Sequence, residues 1–253
     1  MYYFDTHAHY DDAAFDADRD ALIKEMYDFG IKKIINVGAD MQSSLKSIEL
    51  AEKYAHFYAA VGVHPYDVTK MCEDDTKLLQ KYCKYYKTVA VGEIGLDYHY
   101  EDADREKQKY WFKKQLELAK NVGKPVIIHS RDAAEETFET IAQSRVRSGV
   151  IHAFSGSAEL AKEYVKLGFY IGIGGVVTFK NAKKLVRVAT EIPLSRILLE
   201  TDAPYLSPEP YRGKRNNSQN LQFVAAKIGE IKQIDTEVVI NLSSENAEML
   251  FLS

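Results

Sequence analysis

Pro125-Val126-Ile127-Ile128-His129-Ser130 is an apolar run closed by an imidazole. A continuous β-branched run of this length suits a strand buried on both faces of a parallel sheet. The same grammar recurs on either side of it. Gly149-Val150-Ile151-His152 ends in a histidine, Val89-Ala90-Val91-Gly92 leads into Glu93, and Ile197-Leu198-Leu199-Glu200-Thr201 leads into Asp202. Near the start, Phe4-Asp5-Thr6-His7-Ala8-His9 places two histidines at positions i and i+2, which project from one face of a strand. Each run ends in a side chain able to bind a metal ion, and parallel β/α folds carry their chemistry at the carboxyl ends of strands.

The reading extends to the whole chain. Eight strands are predicted: Tyr2–His7, Lys33–Gly38, Phe57–His64, Val89–Glu93, Pro125–Ser130, Gly149–Phe154, Phe169–Gly174 and Arg196–Asp202. Helical patterns separate them. Ala21, Ile23, Met26, Tyr27 and Phe29 supply one apolar face, which Gly30 stops. Trp111, Phe112, Leu116, Leu118 and Ala119 supply the longest, before Gly123-Lys124-Pro125. Leu160, Ala161, Tyr164, Val165 and Leu167 precede Gly168. The tail from Leu221 to Leu252 reads as two more helices. This is the cadence of a (β/α)8 (TIM) barrel with C-terminal helices. A doubly wound open sheet would offer one crevice, whereas only a closed barrel gathers the ends of strands one, four, five, six and eight. Residues 1–253 show no linker or composition break, so a single domain is expected.

Hydrophobic residues at 46% and charged residues at 28% of 253 residues fit a soluble globule, and a net charge of −4 gives no global attraction to nucleic acid or membrane. An anionic substrate would need local cations and metal ions. Cys72 and Cys83 lack metal-site spacing and read as two reduced thiols. With no signal-like opening segment and no membrane-length apolar run, a cytoplasmic location is expected.

Imidazole and carboxylate suit Zn, Mn, Mg or Fe. Taken singly, each residue has a plain alternative: a strand-end histidine can simply hydrogen-bond, and Glu93 or Asp202 can cap a turn. Taken together, four histidines and two carboxylates exceed what one tetrahedral ion needs, so a two-metal site is the economical reading. His56 and His99 lack this placement and read as surface or packing residues.

The segments Phe4–His9, Val63-His64-Pro65, Val91-Gly92-Glu93-Ile94-Gly95-Leu96-Asp97-Tyr98, Ile128-His129-Ser130-Arg131-Asp132, His152-Ala153-Phe154-Ser155-Gly156 and Leu199-Glu200-Thr201-Asp202-Ala203-Pro204-Tyr205-Leu206 resemble, in order, the signatures of the TatD family. These are metal-dependent deoxyribonucleases of the amidohydrolase superfamily. The resemblance runs from about residue 4 to residue 216. It implies one divalent ion near His7, His9 and Asp202, a second near His129 and His152, and Glu93 as their bridge. Mg, Mn and Zn all suit such a site. Many superfamily relatives acting on amides or lactones carry a carboxylated lysine where this chain has Glu93. That difference favours a nuclease over the alternative, an amidohydrolase-type enzyme for a small amide, ester or lactone.

The implied chemistry is two-metal hydrolysis of a DNA phosphodiester, with Asp202 as general base, Glu93 in the catalytic set and DNA as partner. A 3'-5' exonuclease-like mode on single-stranded or end-containing DNA is expected. His64 could donate to a phosphate or merely stabilise its turn. Arg212, Lys214 and Arg215, in Tyr211-Arg212-Gly213-Lys214-Arg215-Asn216, could clamp phosphates or simply face solvent. The family commonly continues with Glu-Pro where this chain has Asn217-Ser218. Glu200 could support the metal site or point into the outer packing.

Overall fold

Eight strands hydrogen-bond in chain order into one parallel sheet: β1 (Tyr3–Ala8), β2 (Ile31–Val37), β3 (Phe57–Val61), β4 (Thr88–Asp97), β5 (Val126–Arg131), β6 (Gly149–Ile151), β7 (Tyr170–Ile173) and β8 (Ile197–Leu199). This computed structural model describes all residues, Met1–Ser253. Helices α1 (Arg19–Phe29), α2 (Met41–Lys53), α3 (Glu73–Tyr82), α4 (Arg105–Val122), α5 (Ala134–Ser144), α6 (Ala158–Lys166) and α7 (Lys183–Glu191) connect successive strands, and α8 (Leu221–Lys232) and α9 (Thr236–Phe251) follow β8. The seam between β8 and β1 closes through the Asp202 N–H on the His7 carbonyl (2.9 Å), the His9 N–H on the Ala203 carbonyl (2.7 Å) and a parallel bridge between Ala8 and Ala203. The fold is a (β/α)8 barrel.

The alternation of side chains explains its layers. Phe57, Ala59 and Val61 of β3, Val126 and Ile128 of β5, and Ile197 and Leu199 of β8 belong to a cluster of 53 buried residues that seats the helices on the strands. The residues between them, including Ala60, Ile127 and Leu198, belong to a second cluster of 12 with Phe4, Val150 and Tyr170. That cluster fills the barrel's lower interior. Ala247 and Phe251 of α9 join it. Helix α9 also braces the seam, because the Ser243 hydroxyl accepts from the Leu199 N–H (2.9 Å) and the Asn246 amide donates to the Ile197 carbonyl (3.0 Å).

Helix ends follow their residues. Gly30 (φ 119°) and Gly123 (φ 69°) take the left-handed conformation that stops α1 and α4. Three strands end three residues earlier than the sequence suggests. β3 stops at Val61, β6 at Ile151 and β8 at Leu199, so His64, His152 and Asp202 stand beyond the regular strands. Ala153 (φ 42°) and Asp202 (φ 59°) turn the chain out of the sheet there. In contrast, β4 runs four residues beyond its expected end at Glu93, to Asp97. Gly95 permits this, since a Cβ there would collide with the His129 carbonyl of β5. No helix is long and apolar enough to cross a membrane.

Candidate metal centre

Strand parity aims most of the expected ligands at the barrel mouth. Ile127 faces the interior, so His129 does too; Val150 does the same for His152, and Leu198 for Glu200 and Asp202. Glu93 needs an irregularity. Ala90 is interior, and unbroken alternation would turn Glu93 outward. The register of β4 against β5 slips between Val91 and Ile94, which puts Ile94 among the helix-facing residues and Glu93 inside. A comparable slip in β1 between Asp5 and Ala8 turns His7 inward.

His7 Nε2, His9 Nε2, Glu93 Oε2 and Asp202 Oδ1 surround one point. His7 and His9 are 3.1 Å apart, and they stand 3.6 and 3.4 Å from Asp202 and 3.4 and 3.9 Å from Glu93. Ligands ~2.1 Å from a tetrahedral ion lie ~3.4 Å from one another, so this donor set fits such an ion. The other carboxylate oxygen, Glu93 Oε1, faces a second pair: His129 Nδ1 at 2.7 Å and His152 Nε2 at 3.1 Å. Glu93 therefore stands between two groups of imidazoles, with one oxygen toward each.

The charges explain why cations fit. Burial disfavours the ionised form of Glu93, yet His152 and His7 hold it well below the usual carboxylate range. Burial also opposes a charge on His9, but Asp202 outweighs it and pushes the imidazole up to about 9. Glu93 and Glu200 likewise raise His152 well above the ordinary imidazole value, and Asp97 and Glu93 raise His129 against burial. In the protein alone, protons on imidazoles balance the buried carboxylates; divalent ions bound to neutral imidazoles would balance the same charge.

Three of the rings also have a polar group behind them. The His9 Nδ1–H donates to the Val37 carbonyl (2.8 Å), and His129 Nε2 faces Asp97 Oδ2 (2.9 Å). Glu200 Oε1 stands 3.5 Å from His152 Nδ1 and is fixed by the Ala153 N–H at 2.6 Å. Glu200 thus belongs to the interior beside His152 and not to the outer packing. Gly172 leaves room for it, since a Cβ there would strike its carboxylate. Glu200 was legible from parity, being two residues before Asp202. Asp97 was not, because its inward position depends on β4 continuing past Gly95. Behind the seam, buried Asp5 accepts from the hydroxyls of Thr201 (2.6 Å) and Ser218 (2.6 Å).

His64 lies within the same constellation, grouped with Glu93 and His129, and its ring centroid is 4.4 Å from that of His129. Its Nδ1 accepts from the Tyr66 N–H (3.2 Å), which leaves Nε2 to carry the proton. Burial and the nearby His129 push its pKa down to about 4, so at neutral pH it is an uncharged donor.

The loop after β8 is placed differently from the phosphate clamp expected. Arg215 is paired with Asp18 (2.6 Å) and donates to the Ala14 carbonyl (2.7 Å). The Arg212 guanidinium covers the Phe179 ring at 4.3 Å, and the Lys214 ammonium lies 5.7 Å from the centre of the Tyr211 ring. The cause is Asn216, whose buried amide staples the loop to the carbonyls of Thr201 (2.9 Å) and Tyr205 (2.8 Å) and turns the basic residues to the outside. A cavity of about 830 Å³ opens instead from His129, His152 and Asp202 toward Arg131, Lys183 and Lys184; Arg212, Lys214 and Arg215 do not line it. His99 sits at its edge, paired with Asp132 (2.9 Å), and His56 packs against Tyr27 and Phe57. Cys72 and Cys83 are both free thiols.

Residues 4–252 match the family model described as TatD related DNase. An uncharacterized metal-dependent hydrolase of Bacillus subtilis, YabD, is 41% identical over 250 residues, covering 98% of each chain. The crystal structure of YjjV, a TatD homolog from Escherichia coli K12, superposes with a TM-score of 0.95 at 34% identity, covering 99% of this chain and 98% of that one. A TatD-family hydrolase from Entamoeba histolytica shares the fold, with a TM-score of 0.89 at 23% identity and coverage of 99% and 98%.

Proposed function

Because this chain belongs to the TatD family of metal-dependent hydrolases, we propose that it hydrolyses phosphodiester bonds of DNA with two divalent ions held at the barrel mouth. The observation that carries the choice of substrate is the cavity. In a protein of net charge −4, the depression that reaches the imidazole–carboxylate cluster is lined by Arg131, Lys183 and Lys184, none of them ion-paired to a carboxylate. Such a lining suits the phosphates flanking a cleaved bond. A neutral amide or lactone would leave these cations without partners.

His7, His9 and Asp202 would hold one ion and His129 and His152 the other, with Glu93 spanning both. Divalent ions held there would supply an acidified water and charge neutralisation at phosphate oxygens. The protein's own groups do the rest. Asp202, held ionised below the usual carboxylate range by His9 and the other imidazoles despite its burial, accepts the proton of the attacking water. His64 donates its Nε2–H to a phosphate oxygen. Asp97 and Glu200 fix the rings of His129 and His152. A flexible single strand should enter this cavity more readily than a stiff duplex, and 3'-5' trimming from free ends is the expected mode.

The test is cleavage of an end-labelled single-stranded oligonucleotide with Mg, Mn or Zn added in turn, beside a blunt duplex and a closed circle. A ladder that shortens from one end and is lost with chelator is expected. Metal titration should give two ions per chain in the wild type and fewer in Glu93→Gln. Turnover of small amides or esters with no cleavage of any oligonucleotide would reverse the proposal.

A further inference from the structure

Two tyrosines stand beside this centre with no role in its ligand set. Tyr66 follows His64-Pro65 in the loop after β3, and Tyr100 lies in the loop after β4. Adjacent strands bring the loops together, and the rings meet edge to face with centroids 5.0 Å apart at 65°. Tyr66 also stacks on His64, at 5.4 Å and 23°. His64 in turn touches His129. A continuous aromatic path therefore leads outward from the metal-ligating residues. At its far end both rings are open, Tyr66 at 37% and Tyr100 at 51% exposure.

Other tyrosines near the mouth differ. Tyr98 hydrogen-bonds Glu136, and Tyr205 donates to Asp12 at 2.8 Å, so their hydroxyls are anchored. Tyr66 and Tyr100 have no such anchor; their contacts are made by ring faces and edges. A cation completes the group, because the Arg131 guanidinium is 5.9 Å from the centre of the Tyr100 ring and also lines the cavity beside His129. An exposed aromatic pair, a neighbouring unpaired arginine and a phosphodiester centre match the components by which proteins hold unpaired nucleotides: a ring for the base and a cation for its phosphate.

We propose that Tyr66 and Tyr100 form a stacking platform for one unpaired nucleobase of the substrate strand next to the scissile phosphate, with Arg131 holding that nucleotide's phosphate. This rests on the phosphodiesterase reading and adds the recognition of a base. A paired base is already stacked on its neighbours, so the platform selects single-stranded ends. Stacking is tolerant of sequence, and no preference among the four bases is expected beyond stacking strength.

The experiment compares a single-stranded oligonucleotide with a second in which the nucleosides flanking the cleaved bond are abasic tetrahydrofuran residues. The wild type should cleave the base-bearing strand with a kcat/KM about five- to a hundredfold higher. Tyr66→Leu/Tyr100→Leu, checked for unchanged melting and metal content, should cleave both strands alike, whereas Tyr66→Phe/Tyr100→Phe should keep the discrimination because a phenyl ring still stacks. Arg131→Gln should weaken both strands together. Quenching of a 2-aminopurine base in the strand, measured in chelator so that cleavage is arrested, should be lost in the Leu variant and kept in the Phe variant. No abasic penalty in the wild type, or the same penalty and quenching in the Leu variant, overturns the platform while leaving the phosphodiesterase reading in place. Failure of the wild type to cleave any oligonucleotide withdraws that reading and the platform with it.

Discussion

Replacing Asp97 with asparagine tests whether orientation from behind is part of this metal centre. Both oxygens of this buried side chain are in use: Oδ1 accepts from the His99 N–H (3.0 Å) and Oδ2 faces His129 Nε2 (2.9 Å). Asparagine has nearly the same volume but only one acceptor. If its oxygen serves His99, its NH2 faces His129 Nε2 and forces that nitrogen to accept, moving the ring proton to Nδ1. Nδ1 is the atom 2.7 Å from Glu93, so the ring can no longer offer a lone pair there. If its oxygen serves His129 instead, the His99 N–H loses its acceptor and the hydrogen bond on the ring loses its charge. Either way one charge-assisted interaction is lost, ~1.5–3 kcal/mol or ~10- to 150-fold. Outer partners of metal ligands typically contribute ~10- to 100-fold in affinity. Calorimetric titration with Mn or Zn should show that loss for the ion on the His129 side, with the His7–His9–Asp202 side retained. Affinity within about twofold of wild type at both positions would refute the orientation argument.

Three further outcomes are expected. Asp202→Asn should approach background hydrolysis, whereas His64→Ala should lose roughly ten- to a hundredfold, since it removes one hydrogen bond to a charged group; an active Asp202→Asn enzyme would disqualify the base. Lys183→Gln/Lys184→Gln should flatten the dependence of log affinity for single strands on log salt by about 1.4, two contacts at ~0.7 each, and an unchanged slope would place the phosphates elsewhere. The last concerns His56, far from the metal centre, which burial and then Lys87 push down from an ordinary 6.5 to about 4. The unfolded chain takes up this proton more readily than the folded one. Its contribution is therefore complete above 6.5 and is lost as pH falls toward 4. Half-buried as it is, the loss should be about 1–2 kcal/mol. Urea unfolding at the two pH values should show that difference shrinking in His56→Gln.

Much of this architecture can be read from residue order. The apolar runs ending in His129 and His152, and the paired His7 and His9, mark strands and their chemical ends together, because a parallel strand buried on both faces has little freedom in composition until it emerges. The ladder's true ends were less legible: β3, β6 and β8 stop early, where positive φ at Ala153 and Asp202 depends on packing rather than on residue type. Arg212, Lys214 and Arg215 form a basic run in sequence, but the hydrogen bonds of buried Asn216 and the pairing of Arg215 with Asp18 hold that run away from the cavity. The cations that do line the cavity come from two separate places, Arg131 at the end of β5 and the adjacent Lys183 and Lys184 at the start of α7.

The centre itself shows why parity alone was insufficient. Strict alternation predicts inward positions for His129, His152, Glu200 and Asp202, and the structure places them there. Glu93 and His7 reach the interior only because β4 and β1 each slip by a residue, exchanging faces midway along the strand. The slip in β4 comes with a glycine-bearing extension alongside β5, and that extension carries Asp97 to the back of His129. One departure from regular pairing thus has two chemical consequences. It turns a carboxylate toward both sets of imidazoles, and it supplies the acceptor that fixes the tautomer of one of them. The extra residue of this slip is accommodated at Gly92, where a Cβ would come within 2.6 Å of the Ile127 Cβ on β5. Gly92→Val should therefore push β4 away from β5 and displace Glu93, weakening both metal positions together in calorimetric titration. The reading would fail if Gly92→Val folded and still bound two ions as tightly as the wild type.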